Sequence, residues 1–194
     1  MNQFEDLSDQ TLVAAALADR NAFARIVRAY EPVLRRYVRR LLGPAAQAVE
    51  DVLQEAFVKA YVNLNDYDGS RPFAPWIYRI AHNEAVSHLR KHGTKPQIID
   101  GEAGLLILER LSDGRGSSDN LDLLQNDAEL HKALSQIDSR YRDVLVLRYL
   151  EDKSYDDISD ILEMPPGTVA TRIQRGLKKM RAAFAAAGKH THHD

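Results

Sequence analysis

The segment from Ser154 to Arg181 constrains the fold of this chain more than any other stretch of the sequence. Ser154 is a good helix N-cap, and two aspartates follow in the first turn, where the helix dipole favours anions. The sequence Met164-Pro-Pro-Gly167 should end this helix, since a proline disfavours helical geometry in the residue before it. Thr168 can then cap a second helix, whose apolar residues recur at helical spacing. The pattern predicts a helix, a tight turn and a second helix.

Charge is segregated within this segment, although the whole chain carries a formal net charge of only -2. The first helix is acidic, whereas no acidic residue occurs between Met164 and Lys189. For binding to nucleic acid, such local segregation matters more than the sum of the charges. The alternative without DNA binding is an amphipathic helical hairpin with a solvated basic face. The tight turn together with the division of charge favours a helix-turn-helix unit that reads duplex DNA.

Helical patterns occupy most of the remaining sequence, and alternating strand patterns are scarce, so we predict an all-α fold. Helices are expected over residues 8–17, 21–42, 48–64 and 72–91. Pro32 should bend or divide the second of these helices. Residues 93–125 contain a proline and several glycines and indicate a flexible acidic linker. The sequence therefore predicts two small helical domains, 1–92 and 126–187, which are joined by that linker and followed by a disordered, histidine-containing tail, 188–194.

Composition argues against several classes of protein. The chain has no cysteine, so it has neither a disulfide framework nor a thiolate metal site, which fits a reducing cytoplasm. The polar N-terminus is unlike a secretory signal, and no apolar run approaches the roughly 20 residues that span a bilayer. No glycine-rich phosphate loop, metal-ligand cluster or nucleophile motif appears, so we expect no enzyme, cofactor or metal. The tail histidines could bind Zn²⁺, but a frayed polar terminus is the favoured interpretation.

Four segments of the sequence share a resemblance to one family. They are Val49–Tyr61, Phe73–Asn83, Leu134–Tyr149 and Pro165–Arg181. The first two resemble regions 2.2 and 2.3–2.4 of bacterial RNA polymerase sigma factors of the sigma-70 family, and the last two resemble region 4 of its extracytoplasmic-function (ECF) group. Two independent blocks in the right order are far more specific than either block alone. The resemblance implies that domain 1–92 binds core polymerase and recognises and melts the −10 element, and that domain 126–187 recognises the −35 element.

The predicted helix 48–64 carries the expected contact with polymerase. In the family, the matching helix docks on the coiled-coil clamp helices of the β′ subunit. Four apolar residues should pack inward: Val52, Phe57, Ala60 and Leu64. The polar residues expected to face outward and bind polymerase are Asp51, Gln54, Glu55 and Lys59. Acidic and amide groups suit arginine-rich partner helices, whereas the alternative is an ordinary solvated helical face.

The loop from Asn65 to Pro72 and the helix after it match the part of the family that captures a base flipped out of the −10 element. Extruding a base costs a few kcal/mol, and stacking an exposed base on an aromatic ring returns about 1–3 kcal/mol. The candidates for this site are Tyr67, Ser70, Phe73, Trp76, Arg79, Asn83 and Arg90. Core packing is the alternative for the phenylalanine and the tryptophan. The favoured base-pocket residues are therefore Tyr67, Ser70 and Asn83.

The basic helix supplies the candidates for the −35 element, because residues near the N-terminus of such a helix enter the major groove. Those expected at base edges are Thr168, Ala170, Thr171, Arg172, Gln174 and Arg175. Lys178 and Lys179 are better placed for phosphates. Arg175 matches a position that is commonly basic in the family, and arginine pairs well with guanine. This chain departs from the usual family residues at His82, Ser87 and Ala170.

The resemblance implies a cytoplasmic sigma factor without membrane insertion. Its expected partners are core RNA polymerase, through the β′ clamp helices and the β flap, promoter DNA, and an anti-sigma factor. Two alternatives stay open: a sigma-like decoy that does not open promoters, and a stand-alone helix-turn-helix regulator, which would leave the region 2 segments unexplained. A basic cluster in the second helix is open between DNA contact and a solvated face, and it consists of Arg35, Arg36, Arg39 and Arg40.

Overall fold

The structure of the chain is a computed structural model that describes residues 8–93 and 137–187. Within these residues every regular element is a helix, which confirms the predicted all-α class. The chain divides into two compact units, unit 1 built on residues up to Gly93 and unit 2 on most of the residues after it. The predicted linker beyond Gly93, the helices expected before residue 137 and the tail lie outside the described residues.

Seven α-helices occur in the described part of the chain. Those before Gly93 are α1 (Asp9–Ala18), α2 (Phe23–Leu42), α3 (Val49–Val62) and α4 (Phe73–Lys91). Those after it are α5 (Ser139–Leu145), α6 (Tyr155–Leu162) and α7 (Pro166–Ala187). A π-helical turn, Val146–Leu150, extends α5.

Helix α2 forms the centre of unit 1, because it packs against α1, α3 and α4. Its buried apolar residues follow the predicted helical period and include Phe23, Ile26, Tyr30, Leu34, Val38 and Leu41. The helix runs unbroken through Pro32, so this proline does not divide it. The backbone bond lost at Pro32 would use the Arg28 carbonyl, and both residues are exposed, so water can replace that bond. Gly43 ends the helix with a φ of 53°, where glycine is favoured.

Helix α3 presents its small and branched residues to the core of unit 1. Val52, Ala60 and the following Leu64 are buried as predicted, and Phe57 is partly buried. The centre of the inward face is occupied by Ala56, which lies four residues from both Val52 and Ala60. Phe57 is one residue further along the helix and therefore falls at the edge of that face.

A buried hydrogen bond joins α2 to α4. The Tyr37 hydroxyl and His82 Nδ1 lie 2.9 Å apart, and both side chains are buried. The Tyr37 ring also packs on Tyr78, with ring centroids 5.1 Å apart. One of the departures from the family pattern, His82, therefore belongs to the core and contributes to the packing of unit 1.

Helices α5 and α7 approach each other closely in unit 2. Apolar side chains of both helices are buried, among them Val144 and Leu145 of α5 and Val169 and Ile173 of α7. A Cβ atom placed on Gly176 would lie 3.1 Å from Leu145 Cδ1. This contact is tighter than ordinary packing, so the missing side chain at Gly176 is what lets the two helices come together.

Helix α6 begins with the predicted cap. The Ser154 hydroxyl accepts a hydrogen bond from the Asp157 N–H at 3.0 Å, and the Asp157 carboxylate accepts one from the Ser154 N–H at 3.1 Å. This reciprocal pair is a capping box, which satisfies two donors at the start of the helix. The helix ends at Leu162, and the next residue, Glu163, adopts a left-handed backbone conformation with a φ of 51°.

Helix α7 begins earlier than the sequence predicts. Its first residue is Pro166, so Thr168 lies inside the first turn and its assignment as the cap is wrong. The carbonyl of Pro165 accepts hydrogen bonds from the N–H groups of Thr168 and Val169, at 2.8 and 3.1 Å. Proline suits the first helical position, because the N–H it lacks would have no partner within the helix.

Candidate nucleic-acid interface

Three aromatic rings meet where the loop before α4 joins that helix. The ring centroid of Tyr67 lies 5.2 Å from that of Phe73 and 5.5 Å from that of Trp76. Phe73 is only 1% exposed, and its ring also packs on Tyr30 of α2 at 5.4 Å. Tyr67 and Trp76 are partly exposed. The structure thus places Phe73 in the core, where it supports the two outer rings and offers no free face to a base.

Hydrogen bonds order the loop that carries Tyr67. The Asp68 carboxylate accepts bonds from the Ser70 N–H at 3.0 Å and the Ser70 hydroxyl at 2.7 Å, and these hold the pKa of Asp68 below its ordinary value. The Tyr67 hydroxyl donates to the carbonyl of Arg71, and burial raises the pKa of Tyr67. In this structure Ser70 uses its hydroxyl to order the loop, and Tyr67 is fixed at both its ring and its hydroxyl.

Four predicted residues continue from the aromatic rings along one face of α4, and we call them the α4 stripe: Trp76, Arg79, Asn83 and Arg90. Their spacings of three, four and seven residues match helical turns. Asn83 and Arg90 are exposed, and Arg79 is partly exposed. At 1.5 Å per residue the stripe is about 21 Å long. The fold therefore brings an aromatic side chain, an amide and two guanidinium groups together on one surface.

The predicted polar residues of α3 lie on its outer face. Asp51, Gln54 and Glu55 are exposed. Lys59 is exposed as well, but its ammonium group lies 2.6 Å from the carboxylate of Glu84 on α4. Lys59 is therefore engaged in an ion pair within unit 1, where it links α3 to α4.

Two apolar residues on the same face of α3 were not predicted to face outward. Val58 is 52% exposed and Val62 is 65% exposed. Together with Asp51 and Glu55 they follow helical spacing, so the four residues share one face. The sequence held a signal for them: once Val52, Ala60 and Leu64 are assigned inward, positions 58 and 62 fall on the opposite side. Exposed apolar side chains beside polar ones make this face of α3 a candidate for a protein contact.

The first turns of α7 carry the residues predicted for duplex DNA. Exposed side chains on this helix include Thr171, Gln174, Arg175, Lys178 and Lys179, and those partly exposed are Thr168, Ala170 and Arg172. The Thr171 hydroxyl donates to the Gly167 carbonyl at 2.8 Å, so it is turned back toward its own helix. The exposed side of α7 is thus basic, while Val169 and Ile173 are buried.

A concave surface that encloses a volume of about 320 Å³ lies between α5 and the start of α7. Its lining residues are Arg140, Tyr141, Gly167, Thr168, Thr171, Arg172 and Arg175. Sequence reasoning missed Arg140 and Tyr141 as members of this surface. No pattern along α5 marks them, because only the packing of α5 on α7 brings them beside the basic helix.

The basic cluster on α2 is partly accounted for by contacts inside unit 1. Arg35 forms ion pairs with Glu31 on its own helix and with Glu50 at the start of α3. Arg40 is buried. Neither of these two arginines adds to an exposed basic surface.

Titratable side chains in residues 8–93 and 137–187 do not gather into a metal site. No three or more histidine, cysteine, aspartate or glutamate residues there lie where they could hold a metal ion. In the same residues, no helix is both long and apolar enough to cross a membrane. The histidines of the C-terminal tail lie outside this part of the chain.

Comparison with known proteins identifies the class to which the two units belong. The sequence matches Sigma-70 region 2 over residues 26–94 and Sigma-70, region 4 over residues 127–180. The chain therefore belongs to the sigma-70 family of RNA polymerase sigma factors. It is 36% identical to the ECF RNA polymerase sigma factor SigW of Bacillus subtilis (strain 168), over 84% of this chain and 89% of that protein. Within the family, it belongs to the ECF group.

Two solved structures are similar to most of the chain. One is CnrH in complex with the cytosolic domain of CnrY, with 26% identity and a TM-score of 0.63 over 90% of this chain and 95% of that one. The other is the sigma factor RpoE in complex with the anti-sigma factor NepR from Bartonella quintana, with 21% identity and a TM-score of 0.61. It covers 83% of this chain and 95% of that chain, and at this identity it bears on the fold alone.

Proposed function

We propose that this protein is an active sigma factor, which binds core RNA polymerase and directs initiation at promoters through −10 and −35 elements. The observation that carries the proposal is the presence of two separate candidate nucleic-acid surfaces, one aromatic and one basic, in a chain of the ECF group. Residues 1–92 act as region 2, residues 126–187 as region 4, and residues 93–125 as the linker. The protein works in the cytoplasm as a regulator of transcription and not as an enzyme.

Unit 1 captures a base of the −10 element. Tyr67 and Trp76 offer partly exposed rings that pack on the buried Phe73. These two side chains therefore lose little conformational freedom when a base binds. Stacking returns about 1–3 kcal/mol per base, which offsets much of the few kcal/mol that extrusion costs. Asn83 lies about 10 Å further along α4 than Trp76, and its amide hydrogen-bonds a base edge. The two arginines of the α4 stripe hold backbone phosphates, and Ser70 keeps the loop in place.

Unit 2 reads the −35 element with the first turns of α7. Arg175 donates two hydrogen bonds to a guanine, a contact that gives about 1–3 kcal/mol of discrimination. The side chains beside it that complete the base contacts are Thr168, Ala170, Thr171, Arg172 and Gln174. Lys178 and Lys179 bind phosphates and supply affinity without sequence choice. Since Ala170 offers only a methyl group, the preferred −35 sequence differs from that of members with a cation at this position.

The outer face of α3 binds polymerase at the β′ clamp helices. Asp51, Gln54 and Glu55 supply acidic and amide groups, and the exposed Val58 and Val62 supply apolar area. Lys59 supports this face through its ion pair with α4. Unit 2 is proposed to contact the β flap. An anti-sigma factor is a further proposed partner, because the resemblance to the ECF group implies one and the similar CnrH was solved in complex with the cytosolic domain of CnrY.

Transcription in vitro tests the proposal. Purified protein is mixed with bacterial core polymerase and a random promoter library, and the 5′ ends of the products are sequenced. We expect specific starts that share −35 and −10 elements. Binding to core without any product would favour the decoy, and binding to duplex DNA without binding to core would favour the stand-alone regulator.

Substitution of Asn83 separates melting from binding. Asn83→Ala should reduce transcription more from a closed duplex than from a template with a pre-formed bubble over the −10 element, because the bubble removes the cost of extrusion. Asn21→Ala is the matched control, since Asn21 is also an exposed asparagine of unit 1. Equal activity of the N83A variant on both templates, relative to wild type, would contradict the assignment of Asn83 to the −10 site.

A further inference from the structure

We propose that Asp9 of α1 is a positioning residue for the base pocket of unit 1, which it supports through the buried side chains of Tyr30 and Phe73. The inference rests on the proposed function, because it requires the two outer rings of the pocket to stack on a base of the −10 element. The match to Sigma-70 region 2 begins at residue 26, so α1 precedes it. The proposal therefore gives a part in promoter recognition to a helix that lies outside the matched region.

Helix α1 presents Asp9 to the interior of unit 1. The buried residues of this helix lie three, four and seven positions after Asp9, on the same helical face, and they are Leu12, Val13 and Ala16. The helix packs against both α2 and α4. Its first turn is fixed by the Ser8 hydroxyl, which accepts a hydrogen bond from the Thr11 N–H at 3.4 Å. Asp9 itself is partly exposed, so its carboxylate lies at the edge of the core.

The Tyr30 hydroxyl joins α1 to α2. This hydroxyl donates a hydrogen bond to the Asp9 carboxylate, and the Tyr30 side chain is buried. Burial first, and the hydrogen bond second, raise the pKa of Tyr30, so the hydroxyl keeps its proton and remains the donor. Without Asp9 the buried hydroxyl would lose this acceptor, and the side chain would have to move toward water or another acceptor. The carboxylate therefore fixes the position of this ring.

The ring of Tyr30 packs on the support of the base pocket. Its centroid lies 5.4 Å from that of Phe73, and the two ring planes meet at 77°. The Phe73 ring in turn contacts both outer rings, that of Tyr67 at 5.2 Å and that of Trp76 at 5.3 Å. Side chains in a close-packed interior leave no room for one ring to shift alone. A displacement of Tyr30 therefore changes the support of the two rings that stack on a base.

The charge of Asp9 is also close to the pocket itself. Burial has the largest effect on the pKa of Tyr67 and raises it, and the charge of Asp9 raises it further. Asp9 is thus near the hydroxyl groups of both Tyr30 and Tyr67. A carboxylate at this place repels the phosphates of a DNA strand, so Asp9 is unsuited to contact DNA directly. Its contribution to base capture has to act through the rings.

Base capture by the holoenzyme tests the proposal. Holoenzyme is reconstituted from core polymerase and the full chain, and it is titrated onto a non-template −10 strand taken from a promoter of the transcription assay. One −10 base at a time is replaced by 2-aminopurine, whose fluorescence falls when it stacks on an aromatic ring. Asp9→Ala should weaken binding to this strand by about 2- to 10-fold, the equivalent of one net hydrogen bond.

The sign of the effect separates positioning from charge. Asp9→Asn keeps an acceptor for the Tyr30 hydroxyl but removes the repulsion of the DNA, so it should bind the strand at least as tightly as wild type. Tyr30→Phe removes the same hydrogen bond from the other side and should weaken binding as D9A does. The double variant D9A/Y30F should bind no more weakly than either single variant, because both changes remove one interaction.

Asp19→Ala is the matched control, because it removes a structural carboxylate at the other end of α1. Asp19 Oδ1 accepts a hydrogen bond from the Asn21 N–H at 2.9 Å. This variant should leave base capture unchanged, and core binding should be the same in all variants. Trp76 is the only tryptophan of the chain, so the emission of the free full chain reports on the pocket. That emission should shift in D9A and Y30F but not in D19A.

Three results would overturn the inference. They are unchanged or tighter strand binding in D9A, additive losses in D9A/Y30F, and an equal loss in D19A, which would assign the effect to the stability of α1 alone. Loss of core binding in D9A would do the same, since it would show a structural role for all of unit 1. A wild-type holoenzyme that quenches 2-aminopurine at no −10 position would instead refute the proposed function.

Discussion

Gly176 determines how closely α5 and α7 can pack, and with them the surface proposed to meet −35 DNA. A Cβ atom on Gly176 would lie 3.1 Å from Leu145 Cδ1 and 3.3 Å from Tyr141 Cβ. An alanine therefore requires its neighbours to shift by a few tenths of an ångström. Against that cost, alanine is favoured over glycine inside a helix by about 0.8–1.0 kcal/mol. We expect Gly176→Ala to be nearly neutral, because the two terms oppose each other.

Leucine at the same position separates packing from helix propensity. Leucine and alanine have similar propensities, so the difference between the two variants reports the extra atoms alone. Overpacking of a close contact typically costs about 1–3 kcal/mol. We expect Gly176→Leu to destabilise unit 2 by that amount relative to Gly176→Ala. Amide hydrogen exchange in α5 and α7 should then be about 5- to 150-fold faster.

Hydrogen exchange on the full chain is the suitable assay, because a chain of two units has no single well-defined melting temperature. Exchange of amides in α2 and α3 serves as an internal reference and should be the same in both variants. Equal exchange of α5 and α7 in the alanine and leucine variants would refute the argument from close packing. Equal acceleration in all four helices would show a global effect and not the local one expected here.

Two further predictions concern a helix cap and a histidine pair. Ser154→Ala should destabilise α6 by about 1 kcal/mol, because it removes the hydroxyl of the capping box. Ser154→Thr keeps a hydroxyl and should recover most of the lost stability. Amide exchange in α6 that is unchanged in S154A would contradict the role of the cap. Burial and the charge of His92, whose ring stacks on that of His88 at 4.1 Å, hold the pKa of His88 below its ordinary value of 6.5. A His92→Gln variant should raise the His88 pKa in an NMR titration without restoring it fully, because burial remains. Since the pKa of His88 is lower in the folded state, its contribution to the stability of the fold is complete above pH 6.5 and falls as the pH is lowered. A His88 pKa that H92Q leaves unchanged would exclude the charge of His92 as a cause.

The helices of this fold were predictable where an apolar period runs between clear end signals. Helix α2 ends at Leu42, just before Gly43, and α4 ends at Lys91, as expected, because a glycine and a change of composition mark these ends. The start of α7 was not predictable in the same way. Two prolines precede Thr168, and both a capping threonine and a proline at the first helical position obey known preferences. Only the observed hydrogen bonds to the Pro165 carbonyl decide between them.

The candidate sites were predictable where one element supplies the residues. The exposed side of α7 follows from its period, and so does the face of α3 that carries Asp51 and Glu55. The environments of Phe73 and Lys59 depend on other elements, on Tyr30 for the burial of the phenylalanine and on α4 for the ion pair. Arg140 joins the basic surface for the same kind of reason. The helical period of each element shows which of its faces is buried, but it does not show which residues of another element that face contacts. These contacts therefore could not be predicted from the sequence.

If α7 binds the −35 element as proposed, the alanine at position 170 changes where the free energy of that binding must come from. A bidentate side chain there would give about 1–3 kcal/mol of discrimination, whereas the methyl group of Ala170 makes no hydrogen bond to a base. Because both units belong to one chain, binding of unit 1 to a promoter raises the effective concentration of unit 2 at its site, a gain of about 10²- to 10⁴-fold. That gain corresponds to about 3–5 kcal/mol, which is enough to cover the missing contact. Phosphate contacts such as those proposed for Lys178 and Lys179 add affinity without discrimination. Under the proposed function, sequence choice therefore rests on Arg175 and its neighbours and on the base pocket of unit 1.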